Sequence, residues 1–345
     1  MIKLGVIFGG KSGEHDVSLM SAASVLRALN KEKFIPVMIG ITRDGKWMLH
    51  EGEIDEIEND TWEEKAKPLS IDKLKETIDF ALPIVHGTNA EDGTLQGFFE
   101  IMDIPYGGCG VLASSACMDK IVAKELFVSA GIPSCKYVGF ETKLFKEEDA
   151  RAIAEAVDGY PCFVKPANLG SSVGGSKANN EAELLAAIRE ASKFDRRIIV
   201  EQGMDAREIE IAVIGNEEPV LGSIGEINTK QADFYDYSTK YTDGQSEMII
   251  PADIPEETAA KMREYAITAY KALDCAGFSR IDFFLDRKTG ELYINEINTL
   301  PGCTKFSMFP SLMADAGVPY PELIERIVDY GYERYNAKNN RQTSR

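Results

Sequence analysis

Arg280-Ile281-Asp282-Phe283-Phe284-Leu285, a turn over residues 286–290, then Glu291-Leu292-Tyr293-Ile294-Asn295-Glu296-Ile297-Asn298: the reading of the chain turns on this stretch. Two short apolar runs around a turn with Asp286 and Gly290 predict an antiparallel hairpin. Side chains alternate along a strand, so Arg280 and Asp282 share one face of the first run. By the same rule Leu292, Ile294, Glu296 and Asn298 are expected on one face of the second. Pairing then brings Asp282 opposite or diagonal to Glu296. Carboxylate and amide oxygens converging beside an arginine make a hard-oxygen set suited to Mg²⁺. A polar edge strand with a surface ion pair is the plainer alternative. Four polar groups on facing sides of an apolar hairpin count against it, because burying them unpaired is costly. Thr299-Leu300-Pro301-Gly302 ends the second strand and leaves backbone amides beside the set.

Upstream lies a second group of chemical signals. Lys165 follows the strand-like Cys162-Phe163-Val164, and Gly170-Ser171-Ser172-Val173-Gly174-Gly175 comes soon after. A Gly/Ser hairpin turn offers amides and hydroxyls to a phosphate without steric obstruction. Lys120 opens a helix expected over residues 119–130, where the helix dipole disfavours a cation; that placement suggests service to a ligand. Gly131 and Pro133 stop this helix. Glu201-Gln202-Gly203-Met204, at the end of a strand, could present backbone groups to an adenine edge, with Glu208 reaching ribose hydroxyls. Asp233-Phe234-Tyr235-Asp236-Tyr237-Ser238-Thr239-Lys240-Tyr241 reads either as a lid over a site or as a strand with packed aromatics; periodicity does not separate the two.

The N-terminal third reads strand, glycine turn, helix: Val6-Ile7-Phe8, then Gly9-Gly10-Lys11-Ser12-Gly13, then apolar residues at helical spacing from Leu19 to Leu29. Further strands are expected at 35–41 and 80–85. Alternating strands and helices imply a parallel, doubly wound sheet, with ligands beyond the strands' carboxyl ends, where Glu14 and His86 fall. Gly5-x-x-x-x-Gly10-Lys11-Ser12 matches the Walker A pattern, yet Val6, Ile7 and Phe8 belong in a strand, so a phosphate loop cannot begin at Gly5. Residues 51–64 carry eight carboxylates and no base, and are expected as a solvated surface excursion. The polar, basic tail from Asn336 is expected to fray. No internal repeat is visible.

The 345 residues predict two or three domains. Acids outnumber bases 56 to 38, a formal charge of −18, which repels nucleic-acid backbones and anionic lipid. Six cysteines without a CxxC pair fit reduced thiols in a cytosol, and with only three histidines a structural zinc site is disfavoured. No apolar run is long enough to span a bilayer, and the apolar part of the N-terminus is too short for a signal peptide.

Together these segments resemble the ATP-grasp superfamily and, within it, the D-alanine–D-alanine ligases. The resemblance runs from Leu4 to about Val328 and rests on residues 9–18, His86-Gly87 with Glu91-Asp92-Gly93, and Lys165-Pro166 through Gly174. Tyr237-Ser238-Thr239-Lys240-Tyr241, Arg280-Ile281-Asp282 and residues 296–302 complete it. It implies an ATP-grasp fold, α/β overall and α+β in the C-terminal two-thirds. A Rossmann-like doubly wound domain (1–118) would be followed by a central subdomain (119–207) and a C-terminal one (208–345). By resemblance Lys120 and Lys165 hold the ATP phosphates under the Gly170–Ser171–Ser172 loop, Glu201, Gln202 and Met204 frame adenine, and Glu208 binds ribose. Asp282, Glu296 and Asn298 ligate two Mg²⁺ ions, for which Mn²⁺ can substitute, and Lys240 approaches the γ-phosphate. Glu14 binds the first substrate's ammonium in a network with Ser171 and Tyr241, near His86. Arg280 and the Gly302 amide hold the oxyanion, and Ser307 with Met308 meets the second substrate.

The implied reaction joins two D-alanines through an acylphosphate, releasing ADP and phosphate for peptidoglycan precursors, in a cytoplasmic homodimer with small-molecule partners only. Gln202 departs from the lysine of many relatives. Relatives making D-alanyl-D-lactate often carry a histidine in the lid, and D-serine users commonly an arginine at the position of Met308, so both comparisons favour D-alanine. Ligation to D-serine or D-lactate, a P-loop NTPase, and a non-catalytic nucleotide-binding protein are the alternatives.

Overall fold

The computed structural model describes residues 1–170, 173–229 and 246–341. Ile2–Gly9 (β1) is buried from Leu4 onward and lies parallel to Phe34–Ile41 (β2) on one side and Phe80–Pro83 (β5) on the other. A strand covered on both faces needs such a continuous apolar run. Because β1 extends to Gly9, the Walker-like match is sheet, not loop. Gly9 and Gly10 then turn the chain at φ 84° and 102°, and a side chain on Gly9 would collide with the Ile41 carbonyl oxygen. The His15 ring fixes the turn by donating from Nδ1 to Gly10 O at 2.8 Å, and helix His15–Ala28 follows.

The sheet order is β4-β3-β2-β1-β5, where Trp47–His50 (β3) and Lys67–Pro68 (β4) are antiparallel additions. The expectation of a wholly parallel sheet is corrected here. The turn after β2, closed by Thr42 N to Lys46 O at 2.9 Å, is too short for a crossover and reverses the chain. Residues 51–64 are also more than a solvated excursion. Their acids do face outward, and Asp55 and Glu58 each lie 2.5 Å from Arg27. Ile57 and Trp62, however, are completely buried, with the Trp62 ring edge-on to Phe8 at 5.1 Å over the bare backbone of Gly40.

A second, wholly antiparallel sheet, β6-β9-β7-β8, comprises Tyr137–Glu141 (β6), Cys162–Pro166 (β7), Ser176–Ala178 (β8) and Arg197–Gln202 (β9). The expected hairpin is β7–β8, with Cys162 opposite Ala178. Helix Lys120–Ser129 starts at Asp119, whose carboxylate accepts from the amides of Ile121 and Val122 at 3.1 Å, and Gly131 in the left-handed region follows its end.

The third sheet, β12-β11-β10-β13-β14, holds Ala206–Gly215 (β10), Val220–Thr229 (β11), Ser246–Ile249 (β12), Gly277–Asp286 (β13) and Leu292–Asn298 (β14). Asp282 stands directly opposite Glu296, and Arg280 opposite Asn298. The expected common face on β14 does not hold. Register shifts between the Asp282–Glu296 and Phe283–Ile294 pairs, so Asn295 is an extra residue in the strand. This bulge reverses the alternation. Leu292 and Ile294 point into the core with Ile281, Phe283 and Ile297, whereas Glu296 and Asn298 point the other way.

Helix Tyr320–Asn339 returns to the first sheet, where Ile324 and Ile327 share a core with Leu4, Val6 and Phe80. The tail expected to fray from Asn336 is helical through Asn339, since Lys338 pairs with Glu100 and Tyr335 donates to Asp103 at 3.0 Å. All six cysteines are buried and free. Among the described residues no helix is long and apolar enough to cross a membrane. Trp62→Ala is expected to destabilise the protein by about 3–5 kcal/mol in urea unfolding, and Glu63→Gln by no more than about 0.5 kcal/mol. Equal, small effects of the two would show that the acid-rich segment is not anchored by its apolar residues.

Candidate active site

A cleft of about 1190 Å³ opens where the three sheets meet. Of the residues singled out from sequence, Glu14, His86, Lys120, Lys165, Gly170, Glu208, Arg280, Asp282, Glu296, Asn298, Gly302, Ser307 and Met308 line it. Ser171, Ser172, Lys240 and Tyr241 lie outside the described residues, as does the whole aromatic segment 233–241.

The first sheet delivers an acid and an imidazole. Ser12 Oγ donates to His86 O at 2.7 Å and accepts from Glu14 N at 3.0 Å, tying the two loops together. Glu14 Oε2 lies 2.6 Å from where a side chain on Gly87 would begin, and 3.3 Å from the same point on Gly170. Two bare glycines therefore let the carboxylate sit between the loops. The His86 ring is oriented by Nδ1–H donating to Leu300 O at 3.0 Å, and its buried Nε2 has no partner among the described residues. Burial lowers the His86 pKa, but Glu91 at 3.7 Å, together with Glu14 and the Leu300 carbonyl, outweighs that and raises it; burial pushes the Glu91 carboxyl up as well.

The second sheet and its helix bring cations. Lys120 Nζ donates to Leu169 O at 2.7 Å, at the base of the glycine loop. The unfavourable placement of Lys120 at a helix start is offset by Asp119, which also accepts from Asn168 Nδ2 at 2.9 Å and pairs with Arg197. Lys165 reaches the cleft from β7, with Nζ 2.6 Å from Glu201 Oε2.

The end of β9 differs from the expectation. The side chains of Glu201 and Gln202 are bonded away from the cleft. The Glu201 side chain is turned inward between Lys165 and Lys124, and Gln202 Nε2 donates to Asp158 at 3.1 Å. The amides of Gln202 and Gly203 donate to the carbonyls of Lys136 and Pro161, at 2.9 and 3.1 Å. Any contact from this turn to a base therefore falls to its remaining backbone groups.

The third sheet carries the polar cluster. Arg280 donates from Nε and one terminal nitrogen to Asp282, both at 2.7 Å, and its Nε lies 2.9 Å from Glu210 on β10. Burial opposes the guanidinium charge, but Asp282 and Glu210 more than restore it. Asn298 Nδ2 donates to Asp282 at 2.8 Å. The side chains of Asp282, Glu296 and Asn298 offer two carboxylates and an amide oxygen on one face, a hard-donor set that fits Mg²⁺. Among the described residues no three His, Cys, Asp or Glu side chains gather as a metal cluster.

Beyond β14, Gly302 faces Ser307, where an added Cβ would stand 3.2 Å from Oγ. Ser307 precedes helix Met308–Asp315, and its hydroxyl bonds Thr304 N and Oγ1 at 3.1 and 2.7 Å. The first amides of this helix lack intrahelical acceptors, and its dipole favours an anion there. Met308 is buried, its sulfur packed over Gly225.

Sequence reasoning gave no role to Lys124, Glu91, Glu210 or the Asp119–Arg197 pair. Signals existed for two of them: a lysine within the apolar face of helix Lys120–Ser129, and the alternation Glu208-Ile209-Glu210-Ile211 that puts two acids on one face of β10.

Known proteins with this arrangement are plain. The family models described as D-ala D-ala ligase N-terminus and D-ala D-ala ligase C-terminus match residues 3–109 and 126–329. The chain is 48% identical to the D-alanine–D-alanine ligase of Bacillus cytotoxicus, over 98% of this chain and 97% of that one. It is 46% identical to that of Acetivibrio thermocellus over 96% of each. Among solved structures, the VanG D-Ala:D-Ser ligase from Enterococcus faecalis is similar at a TM-score of 0.87 and 40% identity, over 96% of this chain and 99% of that one. The D-alanine–D-alanine ligase from Coxiella burnetii is similar at a TM-score of 0.87 and 29% identity, over 98% and 96%. The fold is ATP-grasp, and the chain belongs to the D-alanine–D-alanine ligase family.

Proposed function

We propose that this protein joins two D-alanines at the expense of ATP, forming D-alanyl-D-alanine, ADP and phosphate. One observation carries the reading: Glu14 and His86 beside the first sheet, Lys120 and Lys165 from the second sheet and its helix, and Arg280, Asp282, Glu296 and Asn298 from the third line one cleft. The three sheets draw in turn on residues 2–83, 137–202 and 206–298, which supports dividing the chain at 118/119 and, within two residues, at 207/208.

A carboxylate is a poor acyl donor. The first D-alanine's carboxylate oxygen attacks the γ-phosphorus, the bond to ADP breaks, and an acylphosphate forms. Glu14 holds this substrate's ammonium, with the oriented His86 beside it. Lys120 and Lys165 grip the phosphates, and Gly170 begins the loop over them. The adenine edge meets backbone groups of the Gln202–Met204 turn, and Glu208 binds ribose. Asp282, Glu296 and Asn298 would hold Mg²⁺, two ions in this reading and replaceable by Mn²⁺, and the bound metal would supply neutralisation of phosphate charge. The second D-alanine binds with its carboxylate at Ser307 and the helix start. Its neutral amine attacks the acyl carbon, phosphate leaves, and the amine nitrogen sheds its proton. Arg280 suits the developing oxyanion because two of its nitrogens are fixed by Asp282, which sets the guanidinium plane and aims its other N–H groups. The Gly302 amide is its partner. ATP as co-substrate and six free thiols fit a cytoplasmic setting.

The test is phosphate release with Mg²⁺, ATP and pairs of amino acids. Turnover is expected with D-alanine alone, none with L-alanine, and less with D-serine or D-lactate offered as second substrate. Equal turnover of both alanine enantiomers, or none, would refute the assignment; preference for D-serine would move the chain to the activity named for its Enterococcus faecalis relative. Glu296→Gln should cut kcat by about 10² or more with the thermal midpoint little changed. Near-normal turnover in that variant means the donor cluster is misassigned. In nucleotide titrations Lys165→Ala should lose binding and Lys11→Ala keep it; the reverse pattern would revive the P-loop reading.

A further inference from the structure

We infer that Lys124, a lysine too deeply buried to touch any ligand, sets the charge that Lys165 presents to the nucleotide by neutralising the Glu201 carboxylate between them. This rests on the reading of Lys165 as a phosphate-binding group and makes Lys124 a positioning residue.

Lys124 lies on helix Lys120–Ser129 and is 1% exposed. Its Nζ forms an ion pair with Glu201 Oε1 at 2.9 Å and donates to Ser134 Oγ at 3.1 Å and Cys135 Sγ at 3.3 Å. The Tyr137 ring lies beneath it, with the centroid at 5.9 Å. Glu201 is 3% exposed on β9, and its other oxygen is 2.6 Å from Lys165 Nζ. Strands β7 and β9 pair with Phe163 opposite Glu201, so Lys165, two residues on, is a diagonal neighbour on the same face. Of the three groups only Lys165 reaches the cleft.

One carboxylate between two ammonium groups carries a net charge of +1. With Lys165 as its only cation, Glu201 would form a neutral pair. Drawing Lys165 toward a phosphate would then strand a buried carboxylate, which is costly. Lys124 removes that penalty: Glu201 stays paired whichever way Lys165 leans. Burial opposes ionisation of both Lys124 and Glu201. Even so, Glu201 holds Lys124 above the ordinary lysine range, and the two lysines hold the Glu201 carboxyl far below the usual carboxylate range, so the trio is charged at neutral pH.

The test is calorimetric titration of Mg·ADP into wild type, Lys124→Met, Lys124→Met/Glu201→Gln and Lys165→Met, with KM for ATP and for D-alanine measured alongside. Lys124→Met should weaken nucleotide binding roughly tenfold or more, the effect of one charge lost near the phosphate. It should raise KM for ATP more than KM for D-alanine. The double variant restores a net +1 with no buried acid and should recover most of the affinity. Space filling by Lys124 predicts no such recovery. Unchanged binding in Lys124→Met, or a double variant no better than the single, overturns the inference. Should Lys124→Met fail to fold, the double variant decides alone: affinity near wild type supports the inference, and affinity as low as Lys165→Met overturns it. A wild-type protein that binds no nucleotide overturns the ATP reading of the cleft, and this inference with it.

Discussion

Everything chemical in this molecule hangs on side-chain alternation along three adjacent antiparallel strands, and on the one residue that interrupts it. β10, β13 and β14 present Glu208 and Glu210, Arg280 and Asp282, and Glu296 and Asn298 on a single face. The opposite face is packed with Ile209, Ile211, Ile281, Phe283, Ile294 and Ile297. Unbroken alternation in β14 would put Glu296 and Asn298 on the same side as Leu292 and Ile294. Either Glu296 and Asn298 would enter the core or the apolar pair would enter the cleft, and both carry a penalty. The bulge at Asn295 lets one strand be core at its start and site at its end.

The second constraint is charge. A chain with a formal charge of −18 must bind a nucleotide and a carboxylate. It does so by pairing its acids locally, so that cations face the cleft. Asp282 and Glu210 fix Arg280, Asp119 balances Lys120 and ties down Arg197, and Glu201 is shared by two lysines. Buried ion pairs are weak evidence for stability but fix geometry closely. Net charge describes the surface; the cleft is set by which acid each cation is bonded to.

Much of this was legible in the sequence, for reasons that are local. Val6, Ile7 and Phe8 marked a buried strand and so disqualified the Walker-like match. Gly131 marked the end of a helix because a left-handed residue is needed there. The nearness of Asp282 to Glu296, opposite or diagonal, followed from an antiparallel hairpin with a short turn; their direct pairing needs the bulge. What stayed illegible depends on partners distant in sequence. Residues 51–64 looked solvated because eight acids outweigh one tryptophan by count, whereas the fold is decided by where Trp62 packs, against Phe8 and Gly40. The tail beyond Asn336 looked frayed because its anchors, Glu100 and Asp103, come more than 200 residues earlier. The bulge had no signature, since Asn295 is ordinary in composition and extra only relative to β13. Glu201 was read from its place at a strand end and from the resemblance; its two lysine partners, at 124 and 165, showed only in three dimensions.

The central claim is that Asp282, Glu296 and Asn298 form one divalent-cation site in register across β13 and β14. The most direct measurement is the anomalous difference map of a crystal grown with Mn²⁺ and ADP. The account predicts density bounded by the side-chain oxygens of these three residues and by the nucleotide's phosphates. Manganese bound elsewhere in the cleft, with Glu296 and Asn298 turned from it, would contradict the account.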